Sequence, residues 1–153
     1  LGSKSSLKNI TPTYFLKKGD EIKVSNNNKL NFVVNHKLKL TTSSFLNVFI
    51  GPEFNILKKD SLHNLFNKEF TIGINNRMAY NLTEQIQTKT KSIISSPVLP
   101  GTVQLTPSGN IIILHRDCQT TGGYSRILQL NEKSLNNLSQ LKNFDKIKFK
   151  LIK

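Results

Sequence analysis

Short apolar runs rich in branched side chains, each stopped within a few residues by Gly, Pro, Asn or Ser, constrain this chain more than any other feature. Such runs favour strands, because a strand is complete in four to eight residues whereas a helix needs ten or more with a 3.6-residue repeat. Leu46-Asn47-Val48-Phe49-Ile50 stops at Gly51-Pro52, and proline lacks the amide donor that a ladder requires. Ile111-Ile112-Ile113-Leu114 is apolar throughout, so this strand is expected to be central and covered on both faces. Between it and Thr102-Val103-Gln104-Leu105 lies Thr106-Pro107-Ser108-Gly109-Asn110, whose turn residues predict a hairpin.

A weak echo supports the same reading. Leu16-Lys17-Lys18-Gly19-Asp20-Glu21-Ile22-Lys23-Val24 resembles Leu141-Lys142-Asn143-Phe144-Asp145-Lys146-Ile147-Lys148-Phe149, each a turn feeding an alternating strand. Ile22 and Val24 in one, and Ile147, Phe149 and Leu151 in the other, are expected on the buried face. Two short helices are predicted. One, capped by Asp60 or Ser61, runs to about Asn67 and buries Leu62, Leu65 and Phe66; the other, capped by Ser134, buries Leu135, Leu138 and Leu141. Residues 26–40 and 81–96 are polar and read as loops or edge hairpins. The sum is a mainly β, mostly antiparallel barrel or sandwich with short peripheral helices, a single domain over residues 1–153.

The 153 residues carry a formal charge of +13, which raises the question of nucleic acid. Only Arg77, Arg116 and Arg126 are arginines, the remaining cations are lysines scattered through every segment, and asparagine abounds, as in Asn26-Asn27-Asn28. Dedicated phosphate and base readers favour the bidentate fork of arginine. A solvated lysine surface is therefore the better reading, and no specific nucleic-acid partner is expected. One cysteine, Cys118, excludes an internal disulfide and points to a reducing compartment. No run approaches about 20 apolar residues, so no membrane span and a cytoplasmic location are expected. The start at Leu1, not Met, leads us to expect residues ahead of it.

Chemistry concentrates in one stretch. Asp117-Cys118-Gln119-Thr120-Thr121-Gly122-Gly123-Tyr124-Ser125-Arg126 places amide and hydroxyl side chains around a Gly-Gly pair just after the central strand. Such a pair permits positive φ and close backbone approach to a ligand, while Gln119, Thr120, Thr121 and Tyr124 offer donors and acceptors. A tight turn with satisfied side chains accounts for the same residues equally well.

Gln119 to Tyr124 resembles the Q-T-T-G-G-Y signature of the 5-oxoprolinase C-subunit family, also called the biotin-dependent carboxyltransferase or allophanate hydrolase subunit two family. Three more pieces follow that family's order: Leu1-Gly2-Ser3-Lys4-Ser5 is similar to L-G-S-R-S, Asn75-Asn76-Arg77-Met78 to S-D-R-M, and Pro100-Gly101-Thr102-Val103-Gln104 to P-G-x-I-Q. The resemblance implies a cyclophilin-like β-barrel forming the carboxyl-terminal half of a protein about twice as long, the amino-terminal half being absent here. It also implies work with A-subunit-like and B-subunit-like partners, opening 5-oxoproline to glutamate with ATP hydrolysis, or the carboxyltransferase step of urea carboxylase-like relatives. ATP then binds elsewhere in the complex; biotin is left open, and no cofactor is assigned to this chain. Departures are also visible. S-D-R-M-G-x-R reads Asn75-Asn76-Arg77-Met78-Ala79-Tyr80-Asn81, exchanging a carboxylate and a guanidinium for amides, Ser125 replaces the proline after Gly-Gly-Tyr, and P-P-D-G reads Thr106-Pro107-Ser108-Gly109.

On this reading Arg77, Gln104 and Gln119 to Tyr124 bind a small cyclic amide, a urea-like group or carboxybiotin at a site shared with a partner. Arg77 can clamp a carboxylate or bond backbone carbonyls. Asp117 is the one candidate catalytic group, although a carboxylate before a turn commonly accepts backbone amides. Cys118 lacks a base to activate it, and His36, His63 and His115 lack metal-ligand or triad spacing. The alternative is a regulatory module that antagonises a B-subunit-like kinase inhibitor by binding alone, which the amides at Asn76 and Asn81 favour.

Overall fold

The computed structural model describes residues 17–21, 43–88 and 90–152. The chain falls into two compact units, Leu1–Lys37 and Leu38–Lys153. In the first, the described residues form a turn in which the Asp20 amide donates to the Lys17 carbonyl and the Asp20 carboxylate accepts from the Lys17 amide. The predicted echo holds at this level. Asp145 and Lys142 make the same two bonds, and Phe144, at φ 75°, stands where Gly19 stands at φ 99°. The Asp side chain closes each turn, so even a non-glycine residue is held in the left-handed region. Leu16, Ile22 and Val24, residues 26–40 and the Leu1–Ser5 piece lie outside the described residues.

The second unit is a barrel. Its strands are β1 (Phe45–Ile50), β2 (Phe70–Asn75), β3 (Ala79–Gln85), β5 (Thr102–Leu105), β6 (Asn110–Leu114), β8 (Ser125–Leu130) and β9 (Lys146–Leu151), closed in the order β1-β8-β5-β6-β3-β2-β9. Every neighbouring pair is antiparallel except β1 and β9, which close the barrel in parallel. A two-stranded ribbon, β4 (Ser96–Pro97) with β7 (Thr121–Gly122), stands outside the ring.

Alternation explains the core. Leu46 and Val48, Val103 and Leu105, Ile111 and Ile113, and Ile147 and Phe149 turn inward and are at most 3% exposed. Each such side chain contributes about 1.5–3 kcal/mol on burial. The predicted β5–β6 hairpin forms, and β6 is central between β3 and β5. Leu114 on its outer face is covered, but Ile112 remains half-buried, so coverage of that face is incomplete. Leu151, expected inside, is 44% exposed at the end of β9.

Residues 81–85, read as loop, are barrel strand. Tyr80 and Leu82 alternate inward there, and the polar side chains between them face out, Glu84 accepting from the amide and hydroxyl of Thr71. Both helices exist, α1 (Lys59–Asn67) and α2 (Glu132–Leu138), but their caps differ from expectation. Lys58 begins α1 without a side-chain cap, while Ser61 is buried and donates to the Gln87 carbonyl. Asn131 caps α2 by accepting from the Ser134 amide, which leaves the Ser134 hydroxyl to take the Asn47 amide of β1. In both cases a tertiary contact, invisible to local pattern, claims the serine. Leu65, Leu135 and Leu138 join the core, with Leu62, Phe66 and Leu141 packed partly buried against it.

β8 carries a bulge. Val103 pairs with Leu128 but Gln104 pairs with Arg126, so Ile127 is the extra residue and both Ile127 and Leu128 are fully buried. Gly51 fits against this bulge, donating its amide to the Ile127 carbonyl. A Cβ at Gly51 would fall inside contact distance of the Arg126 carbonyl oxygen and 2.7 Å from the Ile127 carbonyl carbon, both backbone atoms that cannot step aside. The Gly51→Ala chain is expected to lose about 2 kcal/mol or more in denaturant unfolding, the scale of forced overpacking.

Candidate functional site

The signature residues reach the outer face of the barrel through the ribbon. Ribbon pairing joins Pro97 to Thr121 and Ser96 to Gly122, extended by Val98 N–H to the Thr120 carbonyl at 3.0 Å and Ile93 N–H to the Gly123 carbonyl at 2.9 Å. Two-residue strands cannot hold themselves, so side chains bolt the ribbon down. Arg126 is the main bolt. It grips Glu53 bidentately at 2.8 and 2.7 Å and donates its remaining nitrogen to the Pro97 carbonyl at 2.8 Å. The same Glu53 carboxylate accepts the Arg126 backbone amide at 2.9 Å. Both side chains are about four-fifths buried, and the Arg126 hydrogen bond holds the Glu53 carboxyl below its ordinary range. A second bolt runs from Thr102, whose hydroxyl accepts from Leu99 N–H and donates to Gln129, which in turn donates to the Pro100 carbonyl.

Beneath the ribbon lies Gln104. It is 1% exposed on the outer face of β5, and its Nε2 has no hydrogen-bond partner. A Cβ on Gly122 would collide with that nitrogen, and another neighbour, Val98, stands 3.4 Å away. Gly122 thus lets the ribbon approach β5 without displacing the Gln104 amide. Neither Gly122 nor Gly123 has positive φ, contrary to the conformation the Gly-Gly pair permits. Around them Gln119, Thr120, Thr121 and Tyr124 are exposed, and their side chains make no hydrogen bonds among the described residues.

Arg77 and Asp117 meet elsewhere, at one mouth of the barrel. Arg77 sits in the β2–β3 turn, with Nε 2.7 Å from one Asp117 oxygen and a terminal nitrogen 3.2 Å from the other. Backbone bonds set the register: Asp117 N–H donates to the Arg77 carbonyl and His115 N–H to the Met78 carbonyl. The pair is exposed, Arg77 by 84%, so it adds little stability. Below it His115 is buried beside Tyr80. Gln104 pairs with Ile112, three residues before His115 and roughly 10 Å along β6, and no hydrogen bond or ion pair joins Gln104 to Arg77. The candidate residues therefore form two groups, one under the ribbon and one at the mouth, linked by residues 115–120. Burial raises the Cys118 thiol pKa, the opposite of nucleophile activation.

The two neutral replacements in the Asn75–Asn81 stretch both do structural work. Asn76 Oδ1 accepts from the amides of Met78 and Ala79, closing the turn, and Asn81 donates to the Ile74 carbonyl. An open cleft of about 1110 Å³ lies on another flank, between α1 and residues 85–93, and takes in Ser125 but none of the candidate residues. The orphaned polar atoms and the exposed signature side chains, not cleft size, mark the candidate site. Glu53, Arg126 and His115 were not selected from sequence as site residues. The scarcity of arginine among 22 basic residues was the available signal for Arg126, because all three arginines are ion-paired.

Residues 1–151 match the carboxyltransferase domain, subdomain A and B, and the chain belongs to that family. It is 30% identical to the 5-oxoprolinase C-subunit of Escherichia coli K12 over 129 residues, covering 82% of this chain and 42% of the relative. With the 5-oxoprolinase C-subunit of Haemophilus influenzae it shares 29% over 140 residues, 90% of this chain and 45% of the relative. The chain thus spans less than half the length of these relatives. The Kluyveromyces lactis urea carboxylase superposes with a TM-score of 0.66 at 18% identity, over 71% of this chain and 11% of that one. The K. lactis urea amidolyase gives 0.66 at 19%, over 71% and 7%. These two likenesses show the fold, a mainly β barrel with two short helices in the described residues.

Geometry separates the two signature glycines. Gly122→Ala should cost about 1 kcal/mol, since the buried Gln104 side chain must shift to admit the new Cβ. Gly123→Ala should stay within about 0.5 kcal/mol, because its Cβ would meet only the Ile93 carbonyl at 3.5 Å. Thermal melts of the two variants check the contrast.

Proposed function

We propose that this chain is the carboxyl-terminal, cyclophilin-like domain of a cytoplasmic 5-oxoprolinase C-subunit, working with A-subunit-like and B-subunit-like partners to open 5-oxoproline with ATP hydrolysis. The observation that carries the reading is the match to two proteins named as 5-oxoprolinase C-subunits across 82% and 90% of this chain. Geometry adds support: four polar signature side chains project from a clamped ribbon with their hydrogen bonds unspent. Polar groups held rigidly but left unpaired suit a ligand or a partner's site. On this reading Gln119, Thr120, Thr121 and Tyr124 face the shared site, with the backbone of Gly122 and Gly123 giving close approach. Gln104 supports them from beneath and Arg77 waits at the mouth. The reading assigns ATP to another part of the complex and needs no biotin.

The regulatory alternative drew on the amides at Asn76 and Asn81. Both are used within the β2–β3 hairpin, so the substitutions are no reason to prefer binding without chemistry. Among the described residues no helix is long and apolar enough to cross a membrane.

The full-length protein combined with its two partner proteins is expected to release glutamate from 5-oxoproline only with ATP, whereas this chain alone turns nothing over. In that complex Gln119→Ala and Tyr124→Phe should lower turnover by about 10²–10³, the usual loss when a transition-state hydrogen bond goes, without moving the melting temperature. Unchanged turnover in both variants, or an assembled complex without ATP-dependent activity, would contradict the proposal.

A further inference from the structure

One ring side chain at the barrel mouth is left with both of its hydrogen-bonding atoms unmet, and the ring beside it makes no hydrogen bond to the described residues. His115 is 8% exposed, and neither ring nitrogen reaches solvent or a partner. A neutral imidazole carries one N–H donor and one bare acceptor, so the desolvation cost is incurred twice. Native interiors rarely leave such groups unmet. Tyr80, with its ring centroid 5.2 Å away, is 7% exposed, and its hydroxyl makes no hydrogen bond among the described residues but, unlike the His115 nitrogens, still reaches solvent. Burial is the main cause that depresses the His115 pKa and the cause that raises that of Tyr80, so both are uncharged at neutral pH.

The backbone there is fixed by the Met78, Arg77 and Cys118 bonds, the last donating to the His115 carbonyl at 3.0 Å. The adjoining side chains are not. Arg77 and Asp117 are exposed and joined only by a surface ion pair, so exchanging Asp117 for a ligand carboxylate on the Arg77 fork costs little.

We propose that His115 and Tyr80 form a small-ligand site at this mouth, hydrogen-bonding the amide of a cyclic amide acid whose carboxylate takes Arg77 from Asp117. Choosing an amide acid rests on the 5-oxoprolinase reading; the site itself, at the mouth and apart from the signature ribbon, rests on the unpartnered His115 nitrogens and the Tyr80 hydroxyl beside them. An amide suits it, because its carbonyl can accept from the Tyr80 phenol while its own N–H donates to the bare imidazole nitrogen of His115.

The test uses the full chain with nitrogen-15-labelled histidine and 5-oxoproline as the probe, with urea as comparator. The His115 ring resonances, assigned by their loss in His115→Phe, should shift saturably with 5-oxoproline. Tyr80→Phe should weaken that response about fivefold or more, the scale of one lost hydrogen bond. His115→Phe should itself melt a few degrees higher, since it keeps a ring of similar volume and removes two unpaired buried atoms. His115 resonances unmoved by either probe, or a lower melting temperature for His115→Phe, would overturn the inference. Shifts driven by urea and not by 5-oxoproline would keep the site and reject the amide-acid reading. Turnover by the assembled complex with silent His115 resonances would reject the site and keep that reading.

Discussion

The clamp between Glu53 and Arg126 is the interaction on which the rest of the signature region depends. One carboxylate takes two guanidinium bonds and a backbone amide, and the third guanidinium bond goes to Pro97 of the ribbon. Arg126 lies next to the β8 bulge and two residues after Tyr124, so fixing it fixes both the strand and the end of the signature. Gly51 completes the arrangement, because only a residue without a side chain brings the Glu53 loop close enough to the bulge. A barrel strand, a loop and a ribbon with no core of its own are thereby held at one point.

That rigidity gives the signature its meaning. The ribbon is pressed so close to β5 that Gly122 touches the Gln104 amide, while the neighbouring polar tips remain outside and unspent. At the mouth, below the exposed Arg77–Asp117 pair, His115 keeps two buried nitrogens unpaired. Unpaired buried polar atoms lower stability, and proteins accept that cost mainly where function uses it. The barrel core supplies the margin: its inward side chains come from all seven strands and both helices add to it.

How much of this was legible in the sequence depended on whether the controlling interaction was local. Alternation and turn chemistry revealed β1, the β5–β6 hairpin, β9 and both helices, and the Asp-closed turn shared by Lys17–Asp20 and Lys142–Asp145 was visible as an echo. Residues 81–85 were misread because a strand with one solvated face in a polar stretch has only Tyr80 and Leu82 to announce it. The serine caps failed because Ser61 and Ser134 are claimed by Gln87 and Asn47, contacts of long sequence separation. Within the site, Arg77, Asp117 and the signature stood out by residue type, but their division between ribbon and mouth follows from barrel closure. Glu53 escaped notice because its partner is 73 residues away.

Amide hydrogen exchange in Glu53→Gln tests the clamp most directly. The account predicts that the ribbon amides of Ile93 and Val98 lose protection while the barrel amides of Ile113 and Leu128 keep theirs. Because the folded-state Glu53 pKa is depressed, its ionised carboxylate stabilises the fold above the unfolded-state value near 4.5 and that contribution is lost as pH falls through the folded value. Wild-type protein should therefore approach the variant's pattern in acid, with the difference between the two greatest near neutrality. Ribbon and barrel amides that change together, or a ribbon that stays protected in Glu53→Gln at neutral pH, would contradict it.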